Sequence, residues 1–469
     1  MIRIHSMLNN RKRFVFTVAL AAAFVLLAGG ANALANTVWT VSKSSSNGTC
    51  SPGATTCNTI QAAVIAASPG DVINVGPGKY NETVGIGKPS LSLLGAQAGR
   101  DARVDRYDPT KESIVDASGP GGGGGAAFFV NGFGVVIDGF TVQGGKNGST
   151  PNASGIYVTP GANVSRILNN IIQNNAMGLY FGAFYSSPNW YNSYFVLVKH
   201  NLFKTNNAGA SGSSTSPIAG QAGFGIVGNR PADGTDITEN EFIGNKAAAI
   251  VVANGANVEI TGNTSNEDGS FAVFGGCYSV IFSHNQGKNF GAQGILPVLD
   301  SYKADAAVDA IINNQALQIN DNDLEEGRVA NYNGIDFAAK GANYVCFMCQ
   351  VSNNKVKRFS GNGIVAEEAS CASTLQWSGV SGNIVEDNGK DGILIGATPC
   401  PSAPGPNNKY NQYISLVDNI AQGNGGNDCE DDTVGGGYTP VLTLGRANTW
   451  SNNIGSLSHP NGLCSPGEE

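Results

Sequence analysis

An asparagine recurs along this chain, each time with an apolar residue three places before it. The series comprises Asn170, Asn201, Asn240, Asn263, Asn285, Asn322, Asn354, Asn383 and Asn419. A second asparagine often follows five places later, at Asn175, Asn206, Asn245, Asn388 and Asn424. The shortest interval in the first series is the 22 residues from Asn263 to Asn285. A repeat of this length predicts a solenoid, and asparagine suits the turns because it tolerates a left-handed backbone and satisfies local backbone groups.

Strand signals recur with the same repeat. A glycine followed by Ile or Leu begins an apolar stretch at Gly155, Gly178, Gly225, Gly294, Gly334, Gly363 and Gly392. The stretches are short and no helical spacing separates them, which predicts a parallel β-helix. Longer intervals indicate inserted loops, which we place at residues 183–193, 207–222 and 296–315.

The two ends of the chain differ from the repeats. Residues 1–35 have a basic flank, an apolar run and Ala33-Leu34-Ala35, which together indicate a removed signal peptide and therefore a secreted or surface protein. Residues 36–427 are predicted to form the solenoid with an N-terminal cap, in which Thr59–Ala67 is a helix, Tyr80–Val84 a strand and Val135–Val142 one rung. Residues 428–469 are predicted to form a C-terminal cap.

Net charge limits the partners. The chain has 27 basic and 35 acidic residues, and residues 1–35 contain four of the basic ones and no acidic one, so the mature protein has 23 against 35, a net charge of −12. Such a protein gains no general attraction to nucleic acid. No run after the signal reaches the length of a membrane span.

Residues 59–95 (TIQAAVIAASPGDVINVGPGKYNETVGIGKPSLSLLG) and the repeats resemble the pectin-lyase-like superfamily of right-handed parallel β-helix proteins. The resemblance covers roughly residues 58–425 and implies a right-handed β-helix that acts on an extracellular polysaccharide. Catalytic signatures of its methylesterases, polygalacturonases and alginate epimerases are absent, apart from Asp431-Asp432 without a matching histidine motif. Lyases of this fold can use Ca²⁺ to neutralise a uronate and a Lys or Arg as base, which makes a Ca²⁺-assisted lyase one expectation.

A dense acidic group is the candidate metal site. Asp321, Asp323, Glu325 and Glu326 would bind Ca²⁺, because clustered carboxylates repel one another unless a cation neutralises them. The catalytic candidates beside them are Arg328, Asp336 and Lys340, with Lys303 as a further base. A solvated turn is the alternative interpretation of this acidic group.

Three further groups have alternative interpretations. Tyr185, Trp190 and Tyr191 lie in an aromatic loop, which either binds glycan by stacking or packs against the solenoid. His200 and His284 directly precede repeat asparagines and fit a turn role better than a zinc site. The run from Asp428 to Asp432 fits the C-terminal cap or a second Ca²⁺ site.

Nine cysteines all follow residue 35, in the part of the chain expected to meet an oxidising compartment. The expected disulfides join Cys50 to Cys57, Cys371 to Cys400 and Cys429 to Cys464. Cys371 and Cys400 each follow a strand-starting glycine by eight residues, so they should stack on neighbouring coils. For Cys346 and Cys349, a structural or free-thiol role fits the surrounding strand better than a redox role.

The sequence therefore predicts an exported all-β protein, a right-handed parallel β-helix with a helical N-terminal cap and a disulfide-tied C-terminal segment. The functional hypothesis is a carbohydrate-active protein acting on a polysaccharide that contains uronate, by Ca²⁺-assisted elimination. The alternative is a non-catalytic rod that binds glycans or mediates adhesion.

Overall fold

The computed structural model describes residues 36–45, 50–51, 53–104, 106, 108–146, 152–182, 192–207, 222–291, 305–312, 314–337, 345–366, 374–376, 378–396, 414–433 and 448–467. Within these residues three long sheets are formed, and every named strand pair is parallel. The signal peptide expected at residues 1–35 lies outside this part of the chain. Among the described helices, none combines the length and apolar character needed to cross a membrane.

Sheet one contains, in spatial order, β2 (Thr56–Cys57), β1 (Val38–Val41), β3 (Val72–Val75), β6 (Ser92–Leu94), β9 (Val136–Asp138), β12 (Arg166–Leu168), β16 (Leu197–Lys199), β20 (Thr235–Thr238), β23 (Val258–Thr261), β26 (Ile281–Ser283), β29 (Gln318–Asn320), β33 (Gln350–Ser352), β37 (Gly379–Ser381), β40 (Ser415–Val417) and β43 (Thr449–Ser451). Sheet two contains β4 (Gly78–Tyr80), β7 (Ser113–Asp116), β10 (Phe140–Gln143), β13 (Ile171–Gln173), β17 (Leu202–Lys204), β21 (Glu241–Ile243), β24 (Thr264–Asn266), β27 (Gln286–Phe290), β30 (Asp323–Gly327), β34 (Lys355–Lys357), β38 (Ile384–Glu386) and β41 (Ile420–Gln422).

Sheet three contains β5 (Val84–Ile86), β8 (Phe128–Val130), β11 (Ser154–Val158), β14 (Met177–Gly182), β18 (Phe224–Asn229), β22 (Ala248–Ala253), β25 (Ala272–Gly275), β28 (Ala306–Ile312), β31 (Asn333–Asp336), β35 (Ile364–Ala366), β39 (Ile393–Ile395), β42 (Cys429–Asp431) and β44 (Ser458–His459). Two short pairs join β15 (Ser193–Tyr194) to β19 (Pro231–Ala232) and β32 (Val345–Phe347) to β36 (Thr374–Gln376). From β3 to β42, neighbours within a sheet are separated along the chain by strands of the other sheets, so each of these coils passes through all three. The structure confirms the predicted right-handed parallel β-helix.

The recurring asparagines form a ladder at the turn between sheets one and two. In each step the Nδ2 of one asparagine donates to the Oδ1 of the next, over 2.9–3.1 Å from Asn170 to Asn453. The residue before each asparagine has a positive φ, for example 57° at His200 and 56° at both His284 and Asp321. Asn, Asp and Gly tolerate this left-handed conformation most easily, which explains why the turn is so polar.

The second asparagine series forms a shorter ladder at the turn into sheet three. It runs from Asn175 through Asn206 and Asn245 to Asp268, and resumes from Asn388 through Asn424 to Asp428. Between these two parts, the rings of Phe290 and Phe359 stack with their centroids 6.3 Å apart. At this turn of the central coils, stacked aromatic rings therefore take the place of the hydrogen-bonded asparagines.

The N-terminal cap is helix α1 (Ile60–Ala66), in line with the prediction. Its buried face consists of Ile60, Ala63 and Val64. The Thr59 side chain accepts a hydrogen bond from the Ala62 amide and caps the helix. A 3₁₀ helix covers Pro109–Lys111.

The strand predicted at Tyr80–Val84 was wrong in detail, because the coil turns there, and the rung predicted at Val135–Val142 contains a turn between two strands. Tyr80–Val84 is divided between β4 and β5, and the Glu82 carboxylate in the turn accepts hydrogen bonds from the amides of Ile60 and Gln61. Val135–Val142 is divided at Gly139, whose φ is 78°. At Gly139 a left-handed glycine interrupts the apolar run.

The C-terminal segment extends the coils. β43 pairs with β40 of sheet one, and β44 pairs with β42 of sheet three. The Asp428 carboxylate accepts hydrogen bonds from the amides of Ser456 and Leu457. These contacts hold the segment without the expected disulfide, since Cys429 and Cys464 are both free thiols in the structure.

Candidate active site on sheet three

Two aspartates lie side by side on the outer face of sheet three. Asp309 in β28 is the register partner of Asp336 in β31. Their strand neighbours Val308, Ala310 and Ile335 belong to the central core, so the alternation of a strand turns both carboxylates outward. Adjacent parallel strands lie about 4.8 Å apart, which brings the two acidic side chains within reach of each other.

A third aspartate completes the cluster. Asp305 directly precedes β28, and its amide donates to Asp309 Oδ2 over 3.2 Å. One carboxylate oxygen from each of Asp305, Asp309 and Asp336 lies within 4.8 Å of the others. Asp309 and Asp336 have no exposed surface, whereas Asp305 is exposed. We call these three residues the aspartate cluster.

The aspartate cluster lies between apolar side chains in its column on sheet three. The outward position preceding Asp309 is occupied by Val273 in β25, and the position following Asp336 by Val365 in β35. Both valines are fully buried. Burying a carboxylate costs far more than burying a valine, so two adjacent aspartates at these positions need a reason beyond packing.

Only Asp336 among the predicted site residues belongs to the aspartate cluster. Asp323, Glu325 and Glu326 lie on β30 of sheet two, a different face of the coil, and Asp321 lies in the turn before it. The structure therefore does not bring Asp336 together with the predicted metal ligands. A single sequence stretch passes from one sheet to the next within a coil, which is why proximity in sequence misled the prediction.

The carboxylates on β30 have basic partners on the following coil. Lys355 Nζ lies 3.6 Å from Asp323 Oδ2, and Arg358 contacts both Glu325 and Glu326. Arg328 Nη1 lies 3.6 Å from Glu267 Oε1. All of these groups are partly exposed, so they form a solvated network of surface ion pairs.

The aromatic candidates Tyr185, Trp190 and Tyr191 lie outside the described residues, as do Lys303, Lys340, Cys371 and Cys400. One disulfide joins Cys50 to Cys57. A second joins Cys346 to Cys349, and these last two cysteines are buried.

His200 Nε2 lies 2.7 Å from Glu239 Oε2 at the ladder turn. This pairing gives His200 a structural role in the turn.

The second acidic run serves mainly as structure. Asp431 accepts a hydrogen bond from Trp450 Nε1 over 2.9 Å, and Asp428 ends the second ladder. Burial raises the pKa of Glu430 to about 7, and the negative charges of Asp391 and Asp432 act in the same direction. These contacts account for the run as part of the final coils.

Sequence reasoning missed Asp305 and Asp309. The available signal was the position directly after the inward apolar residue of each strand. In successive coils this position holds Tyr157, Tyr180, Val227, Val251 and Val273, and then Asp309 and Asp336. Aligning the coils on sheet three would have shown two aspartates entering this apolar column.

No family model matches the sequence, and no curated protein matches it. Solved structures of similar fold include DFA-IIIase from Arthrobacter chlorophenolicus A6 in complex with GF2, at 12% identity and a TM-score of 0.45, covering 82% of this chain and 94% of that one. A periplasmic alginate epimerase matches at 13% identity and a TM-score of 0.47, covering 83% and 79%. An alginate lyase from Paenibacillus sp. str. FPU-7 matches at 10% identity and a TM-score of 0.41, covering 80% and 98%.

Proposed function

We propose that this protein is an exported carbohydrate-active enzyme that cleaves glycosidic bonds of an extracellular polysaccharide at the aspartate cluster. The observation that carries the proposal is the buried, adjacent pair of Asp309 and Asp336 with the exposed Asp305 beside it. The sequence resemblance of residues 59–95 supports the substrate class. Carboxyl pairs are the usual catalytic groups for glycosidic bond cleavage.

The cluster could supply both an acid and a base. Two carboxylates held together repel each other, and the repulsion is relieved when one of them keeps a proton. In the proposed reaction the protonated member gives that proton to the departing glycosidic oxygen. The ionised member either stabilises the positive charge that develops on the sugar or activates water.

A Ca²⁺-assisted elimination is the second candidate, and the spacing of the three oxygens favours it. Oxygen atoms within 4.8 Å of one another can all contact one Ca²⁺ at about 2.3–2.6 Å. Asp305, Asp309 and Asp336 would then be the ligands, in place of Asp321, Asp323, Glu325 and Glu326. Bound Ca²⁺ would neutralise a uronate carboxylate, and Lys340 or Lys303, the other bases expected from the sequence, would accept the proton removed from the sugar as the glycosidic oxygen departs. Arg328 forms an ion pair with Glu267, so its predicted role as base loses support.

We also propose that residues 1–35 direct export. Two disulfides in the described residues, Cys50–Cys57 and Cys346–Cys349, are compatible with an oxidising compartment. N-terminal sequencing of the mature protein tests this, with a start near residue 36 as the expected result. An N-terminus that still includes Arg11 to Arg13 would contradict it.

The activity is tested by incubating the mature protein with neutral and uronate-containing polysaccharides, with and without EDTA. New reducing ends without unsaturated products would support hydrolysis. Unsaturated products that disappear with EDTA would support the Ca²⁺-assisted lyase. Glycan binding with no turnover of any polysaccharide would contradict both the hydrolysis and the elimination, and would favour the non-catalytic rod.

Matched variants assign the site. Asp309→Asn and Asp336→Asn remove a carboxylate from the aspartate cluster while keeping the shape of the side chain. Asp323→Asn makes the same change on sheet two. Turnover that survives both cluster variants would refute the assignment, provided that circular dichroism shows the variants to be folded.

A further inference from the structure

Asp323 and Glu325 on β30 line a groove on sheet two, away from the aspartate cluster. The groove has a volume of about 450 Å³. Its floor is the backbone of β24 and β27, where Ser265 and Gly287 are register partners. The floor is open because neither residue places a side chain over it. Gly287 has no side chain, and the Ser265 hydroxyl points inward and donates to Asp268.

Two rows of outward side chains form the groove walls. One row contains Glu241, Thr264, Gln286 and Asp323, and the other contains Asn266, Lys288 and Glu325. Members of a row come from successive coils, so the four-coil row is about 14 Å long at 4.8 Å per strand. The groove therefore runs across the strands and has room for a short linear chain.

The chemistry of the walls suits sugar hydroxyl groups. Hydroxyl and amide groups alternate with carboxylates and one ammonium, so donors and acceptors both face the groove. Asn289 Nδ2 donates to Asn266 Oδ1 over 2.8 Å, which fixes one wall amide in place. Thr264, Gln286 and Lys288 are exposed and available to a ligand.

The charge balance disfavours a polyanion. Three carboxylates in the walls face the single ammonium of Lys288. Lys355 and Arg358 beside the groove are engaged by Asp323 and Glu325. Arg103 and Lys204 act on Glu241, and Arg103 is also paired with Asp101. A uronate chain would meet no excess of positive charge here, whereas an uncharged glycan would lose nothing electrostatically.

We propose that this sheet-two groove is a second carbohydrate site, which binds an uncharged oligosaccharide segment. It is separate from the aspartate cluster and does not depend on the cleavage proposed for that site. A second site of this kind would hold a distant stretch of the same polysaccharide and raise the effective concentration of substrate at the enzyme.

The test is binding of glucose, fructose and galacturonic acid tri- and hexasaccharides, measured by calorimetry on the mature protein. Thr264→Trp places a large ring in the groove, and Thr261→Trp places the same ring on sheet one of the same coil. We expect a neutral hexasaccharide to bind the wild type. Its affinity for Thr264→Trp should be at least tenfold lower, and its affinity for Thr261→Trp should equal that for the wild type.

The Asp309→Asn variant distinguishes this site from the proposed active site. Its groove should bind the neutral hexasaccharide as tightly as the wild-type groove does, even if the variant no longer cleaves polysaccharide. Failure of every neutral oligosaccharide to bind would overturn the second site. So would preferential binding of the galacturonic acid series, or equal binding to both tryptophan variants. Absence of turnover alone would count against the cleavage proposal and leave the groove result standing.

Discussion

The aspartate cluster on sheet three and the acidic group on β30 contain the same kind of side chain in opposite environments. Asp309 and Asp336 are buried next to each other, whereas Asp323 and Glu325 are partly exposed and paired with Lys355 and Arg358. Exposed pairs gain little energy and lose little when one partner is removed. Buried carboxylates are costly, so the environment and not the density of charge separates a candidate active site from a solvated surface.

The largest expected effect separates the two groups by activity. Asp309→Asn or Asp336→Asn should lower the turnover rate by about 10²–10⁴-fold, the usual contribution of a general acid or base. Asp323→Asn should change it less than about twofold, since an exposed pair contributes little. Initial rates on a polysaccharide that the wild type cleaves provide the measurement. Similar losses in all three variants would remove the contrast.

Buried and exposed carboxylates should also differ in their effect on stability with pH. Burial raises the pKa of Asp268 to about 7, from 3.8. The folded protein then holds a proton that the unfolded chain has released, so this contribution is complete below about pH 3.8 and is lost as pH rises through 7.

Asp268→Asn should therefore be more stable than the wild type above pH 7, by about 4 kcal/mol at most, and the difference should vanish near pH 4. Its Oδ1 can still accept from Asn245, as the carboxylate does over 2.8 Å. Urea unfolding across this pH range tests it, with Asp321→Asn at the exposed turn as the control. A stability difference that does not change with pH would contradict the prediction.

Gly327 ends β30 and lies between the two acidic regions. A Cβ at this position would lie 2.8 Å from Phe359 Cδ1 and 2.9 Å from Tyr332 Cδ1. The Tyr332 hydroxyl in turn donates to the Ala306 carbonyl, at the start of the strand that carries Asp309. Gly327→Ala should cost about 1–3 kcal/mol by overpacking and should lower activity as well.

Thermal unfolding and initial rates measure both effects of Gly327→Ala. Gly87→Ala is the comparison at an exposed position, where no atom lies within 4 Å of an added Cβ. If activity were unchanged while stability fell, the aromatic turn would stabilise the coil without helping to position the aspartate cluster.

The smallest expected effect concerns the surface network. Glu325→Gln removes the charge that Arg358 contacts and should cost less than about 1 kcal/mol. The cost should shrink further in 1 M salt, because exposed charges are screened there. A cost above 2 kcal/mol that resists salt would mean that the β30 group behaves like a buried cluster.

The repeat asparagines predicted the architecture because their role is local. Each must sit after a left-handed residue and bond to the same residue one coil away, so Asn201 and Asn285 could be placed from sequence. The helical cap was predictable for the same reason, since Thr59 and the spacing of Ile60 and Val64 lie within one element. Asp309 was distinguished from other acidic residues only by its place in the sheet-three column, which appears once the coils are aligned with one another.

The sequence by itself determined the repeat, the turn chemistry and the β-helix, because these depend on residues that are close along the chain or fall at a recurring position. Only the tertiary structure decided which carboxylates meet. Intervals between repeat asparagines vary from 22 to 39 residues, so the register of sheet three cannot be read by counting. Stacking of the coils brings Asp309 to Asp336, 27 positions away, and directs Asp323, far closer to Asp336 in sequence, onto another face.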